Sequence, residues 1–137
     1  MFSIRSILRG SLIPVIVLVF QLGLAPAMAE DPTTIFEILQ KAISSGDEMI
    51  RSGQDDQLDP FIQQNMDFTD RIREAMALVS SETEEGYTVR GHLEMALSEA
   101  DKAADSANDG RMDKATNYAL SALSHLEEAN SLAETLR

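Results

Sequence analysis

The sequence contains no cysteine among its 137 residues. This excludes zinc fingers, thiolate metal sites, thiol catalysis, covalent c-type haem and disulfides. Tryptophan is also absent and aromatic residues make up 5%, so a core must be built from aliphatic side chains and alanine. Basic residues are scarce, with 11 Lys and Arg against 23 Asp and Glu, for a formal charge of −12. Nucleic-acid binding needs Lys and Arg to meet phosphate, so that class is excluded, as is electrostatic docking on anionic lipid. Histidine is limited to His92 and His125. There is no Gly-rich phosphate loop, no serine in an elbow context and no recognisable triad. The chain is read as a non-enzyme.

The first residues read as an address. Arg5 and Arg9 precede an apolar run from Leu12 to Leu24, and Ala27-Met28-Ala29 supplies the small-x-small pattern of a signal peptidase site. This is the layout of a secretory signal peptide over residues 1–29, cleaved after Ala29. The rival is an uncleaved anchor, because Leu12 to Ala29 is 18 residues, at the short end for a membrane span. Removing 29 residues of 137 leaves 108, residues 30–137, read as one domain. The loss of two arginines and no acid takes the charge from −12 to −14. The expected location is periplasmic or secreted, with no stable membrane insertion after cleavage.

Between sparse glycines and prolines the pattern is helical. Asp31-Pro32 and Asp59-Pro60 each read as an N-cap followed by proline at the first helical position. The spacing predicts helices over about Pro32–Ser52, stopped by Gly53, and over Pro60 to about Ser80. The second has a stripe of Phe61, Phe68, Ile72, Ala75, Met76 and Val79. A third helix is expected within 84–108, with Val89, Leu93, Ala96, Ala100, Ala103 and Ala107 on one face. A fourth follows Gly110, with Met112, Ala115, Ala119, Ala122, Leu126, Ala129, Ala133 and Leu136 in heptad steps. Short connections make neighbours antiparallel. The expected fold is therefore all-α, an up-down-up-down four-helix bundle of two αα-hairpins.

A weak repeat supports two similar hairpins. A shift of 57 places Glu37 on Glu94, Gly53 on Gly110 and Asp56 on Asp113. A shift of 54 places Arg71-Ile72-Arg73-Glu74-Ala75 on His125-Leu126-Glu127-Glu128-Ala129. On this alignment the copies differ by about three residues.

Bundles build metal sites from side chains on facing helices. The Glu-x-x-His pair of a di-iron site is missing, since Val89 and Ala122 stand three before the histidines. His92 and His125 lie at similar distances from the turn near Asp109-Gly110, which places them about 4–5 Å apart in height along the bundle. Met95 and Glu128 each follow a histidine by three residues and share its face. His92, His125, Met95 and Glu128 would offer nitrogen, sulfur and oxygen donors, a set that suits a divalent transition metal, copper first. Both histidines also flank apolar stripes, where a ring can rest without a ligand. The acids Asp55, Asp56 and Asp59, and Glu82, Glu84 and Glu85, lack EF-hand spacing and sit where acids complement helix dipoles.

His92-Leu93-Glu94-Met95-Ala96-Leu97 resembles a His-Leu-Glu-x-Ala-aliphatic segment of the small metal-binding protein family of bacterial periplasms. The run from Gly110 through Ala115-Thr116, Ala119 and Ala122 to His125-Leu126 is similar to that family's last helix. The likeness covers roughly residues 91–130. It implies an exported four-helix bundle that binds copper and other divalent metals, with His92 and His125 as the ligands that carry over. Arg111 and Tyr118 stand where the family pattern has histidines, and residues 30–80 have none. The resulting expectation is an exported protein that sequesters divalent metal. The alternative is a helical interaction or oligomerising module, a homo-oligomer or the partner of another protein, with no specific metal. A loose cation buffer acting through surface carboxylates lies between the two.

Overall fold

The computed structural model describes residues 32–135, with side chains described from Thr34 onward. The segment read as a signal peptide lies outside the described residues. Four helices follow in order: α1 (Pro32–Gln54), α2 (Leu58–Leu78), α3 (Glu84–Asn108) and α4 (Met112–Glu134). No strand occurs among the described residues. Each helix packs on two others: α1 on α2 and α4, and α3 on α4 and α2. With connections limited to 55–57, 79–83 and 109–111, neighbours run antiparallel, and the fold is the expected four-helix bundle. Among the described residues, no helix is long and apolar enough to cross a membrane.

The turns joining α1 to α2 and α3 to α4 are the same structure. Asp56 takes a left-handed conformation at φ 56°, and Gly110 does so at φ 79°. In the first turn the Asp56 N–H donates to the Gly53 carbonyl and the Gln57 N–H to the Ser52 carbonyl. In the second, Gly110 donates to Ala107 and Arg111 to Ser106. Both are Schellman motifs, in which a left-handed residue redirects the last free carbonyls of a helix. Gln57 and Arg111 then serve as the N-caps of α2 and α4.

This geometry corrects three expectations. The α1 helix runs through Gly53 and is stopped by Asp56, because a left-handed residue, not any glycine, closes a Schellman turn. The α2 helix starts at Leu58 and not at Pro60, so Asp59 lies in its first turn instead of capping it. Proline is tolerated there because first-turn N–H groups have no intrahelical partner. Finally, the two copies are offset by 54 residues at the turns as well as in the second helices (Asp56 against Gly110), and Gly53 falls on Ala107 rather than Gly110.

Burial follows the same offset. Ile35, Leu39, Ala42, Met49, Phe61, Phe68, Ile72, Ala75 and Val79 are buried. Their counterparts Val89, Leu93, Ala96, Ala103, Ala115, Ala122, Leu126, Ala129 and Ala133 are buried too. The copies fill this shared frame differently. In the second hairpin Ala100, Ala107, Ala115 and Ala122 line a seam of small residues. In the first hairpin the counterparts are Gly46, Gly53, Phe61 and Phe68. A Cβ on Gly46 would stand 2.9 Å from the Phe68 ring and from Leu123, and one on Gly53 would stand 2.2 Å from Thr116 Oγ1 and 3.2 Å from the Phe61 ring. Glycine on α1 therefore makes room for phenylalanine on α2.

One polar side chain crosses the core. The Asn65 amide on α2 donates to the Ala100 carbonyl on α3 at 2.9 Å and lies 3.4 Å from Met49 Sδ on α1. It ties three helices in one register. Between the hairpins, the Thr83 hydroxyl caps α3 by accepting from the Gly86 N–H at 3.0 Å. Glu84 and Glu85 follow in the favourable first turn. Arg90 reaches back to the Met76 carbonyl at 2.7 Å, satisfying a free acceptor in the last turn of α2.

Candidate metal centre

His92 on α3 and His125 on α4 each precede a fully buried leucine, Leu93 and Leu126, that anchors the seam. A side chain one residue off a helical seam leans along the edge of the helix pair. Alanines lining both helices permit a close approach, so the two edges meet. The imidazole centroids are 6.3 Å apart with the rings tilted by 31°. Glu128 lies one turn beyond His125, and its Oε2 stands 3.6 Å from His92 Nδ1. One donor atom from each of His92, His125 and Glu128 falls within 4.8 Å of the other two. Among the described His, Asp and Glu residues, this is the one group of three that converges in this way.

The surroundings of the three donors differ. The His92 side chain is 21% exposed, whereas Glu128 is 65% exposed. His92 Nδ1 is shut off from solvent and has no hydrogen-bond partner, since 3.6 Å is too long for a hydrogen bond to Glu128. An unsatisfied buried nitrogen costs about 1–3 kcal/mol. A proton shared with Glu128 or a metal ion would satisfy it.

Ligands at 2.0–2.1 Å around one tetrahedral ion lie about 3.3 Å from each other. The observed spread of up to 4.8 Å therefore needs a closure of about 1.5 Å at its widest separation. The donor set is thus nearly assembled, with two imidazoles at the edge of the helix pair and an exposed carboxylate beside them.

The remaining sequence-derived candidates are placed as follows. Met95 is one turn from His92 on the same helix and is 44% exposed, at the solvent edge of the pair. Tyr118, which stands where the resembled family has a histidine, carries Lys102 and Lys114 ammonium groups 5.8 and 5.9 Å from its ring centroid. Two cations make that position hostile to a metal. Arg111 caps α4. Glu84 and Glu85 border an open groove of about 280 Å³ with Thr88, Leu132 and Thr135, and their carboxylates do not converge with other donors. The isolation of His92 Nδ1 has no signal in the sequence, because it depends on how neighbouring side chains close over one ring nitrogen.

Fold and site together define the class: an all-α four-helix bundle with a His-His-Glu cluster on its second hairpin. No protein-family profile, curated protein or solved structure matches the chain.

Proposed function

We propose that this is an exported, non-enzymatic protein that binds and sequesters a divalent transition metal at His92, His125 and Glu128. The observation carrying this reading is the solvent-excluded, unpartnered Nδ1 of His92 in a cluster whose donors lie within 4.8 Å. Two imidazoles and one carboxylate suit copper, zinc or nickel, and the order of affinities for such donors favours copper. Met95, one turn from His92 on the solvent side, is the proposed fourth donor. It would add thioether character and a preference for copper. Export is proposed from the leader-like residues 1–29, and the likeness to small metal-binding proteins of bacterial periplasms supports both parts of the reading.

Calorimetric titration of the metal-free protein with Cu(II) or Zn(II) tests it. One saturable, near-stoichiometric site is expected, weakened by at least tenfold in His92→Ala and in His125→Ala, and less in Met95→Leu. No saturable heat, or heat indifferent to both histidine substitutions, would refute the proposal and leave the interaction-module reading.

A further inference from the structure

The 54-residue offset that aligns the turns and the buried positions also aligns the metal cluster with three residues of the first hairpin. His92 corresponds to Ile38, His125 to Arg71 and Glu128 to Glu74. The glutamate is common to both copies. The two positions around it are not. In the first hairpin Arg71 Nη1 stands 3.4 Å from Glu74 Oε2, and Arg71 Nε stands 4.0 Å from Asp67. Ile38, at the position of His92, is buried. In the second hairpin the same glutamate faces a ring nitrogen with no hydrogen-bond partner.

We infer that Ile38, Arg71 and Glu74 are the counterpart of the metal cluster, with a built-in guanidinium in the place of the bound cation. This inference rests on the metal-binding reading of the second hairpin and extends it in two ways. The protein takes one metal per chain at its histidine cluster, because the first locus already holds its positive charge. The first hairpin also has the backbone placement of a second site, closed by only two side chains.

Both copies meet one electrostatic need by different means. A glutamate on the last helix of each hairpin sits at the edge of the seam, and a cation neutralises it. Guanidinium does so permanently, with a planar fork that no ion has to supply. Imidazole does so by joining the carboxylate in holding a metal. The first hairpin is therefore indifferent to metal supply, and the second is responsive to it.

The test uses the whole protein with Cu(II) as the probe. Wild type is expected to bind one equivalent. Ile38→His/Arg71→His is expected to bind two, returning to one when His92→Ala and His125→Ala are added. The converse variant, His92→Ile/His125→Arg, carries the first hairpin's side chains into the second. It is expected to fold, to bind no copper at the cluster, and to melt at or above the temperature of metal-free wild type. A folded Ile38→His/Arg71→His protein that still binds one equivalent would overturn the inference. So would a converse variant that melts below metal-free wild type, an outcome that decides the matter even if the histidines introduced into the first hairpin prevent folding. Failure of the metal-binding reading has a different signature: wild type itself binds none, while the melting comparison still reports on the equivalence of the two loci.

Discussion

Two glycines on the same helix, five residues apart, are expected to respond oppositely to one added methyl group. A Cβ on Gly86 would lie 1.9 Å from the Ser80 carbonyl oxygen and 2.9 Å from Thr83 Oγ1. Carbon and oxygen normally keep about 3.3 Å or more, so the backbone of the 79–83 connection must move by over 1 Å. That motion breaks the cap from Gly86 N–H to Thr83, worth about 1 kcal/mol, and adds overpacking strain of about 1–3 kcal/mol. The gain in helix propensity from glycine to alanine, about 1 kcal/mol, offsets part of this. Gly86→Ala should therefore lose about 2 kcal/mol. A Cβ on Gly91 meets nothing within 4 Å, so Gly91→Ala keeps only the propensity gain of about 0.5–1 kcal/mol. In a domain of this size 1 kcal/mol moves the melting temperature by about 4–8 °C. Thermal unfolding followed by circular dichroism should show a fall of roughly 10 °C for Gly86→Ala and a rise of about 3–6 °C for Gly91→Ala. Urea titration should show matching midpoint shifts at constant slope. Shifts of the same sign in the two variants would refute the packing argument.

Asp56→Gly should stabilise the protein by about 0.5–1 kcal/mol, because Asp56 holds a left-handed conformation that glycine adopts without steric penalty; urea unfolding measures it. Asn65→Ala should cost about 2 kcal/mol through the lost bond to Ala100 and the cavity left beside Met49, with a matching drop in melting temperature. Copper binding should weaken as pH falls, since protons compete with a metal for its ligands. Calorimetry over a pH series should show lower affinity and greater proton release towards acid, and a pH-independent affinity would remove the imidazoles from the site.

The parts of the fold most legible in the sequence were those set by periodicity. The α3 and α4 seams were readable because Ala and Leu recur at heptad spacing with few competing apolar residues, and the residues so identified from Val89 to Ala133 are buried. The starts and stops of α1 and α2 were less legible. Asp-Pro and Gly are strong local signals, but the turn is set by six residues exchanging hydrogen bonds, and Asp56 can supply the left-handed conformation that a glycine was expected to supply. Gly53 was misread for the same reason: its purpose is space for Phe61 and Thr116, a tertiary fact with no local signature. At the cluster, the proximity of the two imidazoles followed from helix rise and a short turn, and Glu128 from helical spacing. Rotamers decide the rest. They leave Met95 at the solvent edge and His92 Nδ1 without a partner.

The matched turns after α1 and α3 also have a kinetic consequence. Each hairpin closes through contacts between residues near in sequence, around a turn that needs only its own backbone bonds. Loop closure of that kind is fast, and helical folds dominated by it form within microseconds to milliseconds. The non-local step is the meeting of α1 with α4, which completes the bundle. Contacts local in sequence thus close each hairpin, and the α1–α4 contact carries the long sequence separation. Asn65, bridging α2 to α3 and touching α1, is placed to fix the alignment of the two hairpins.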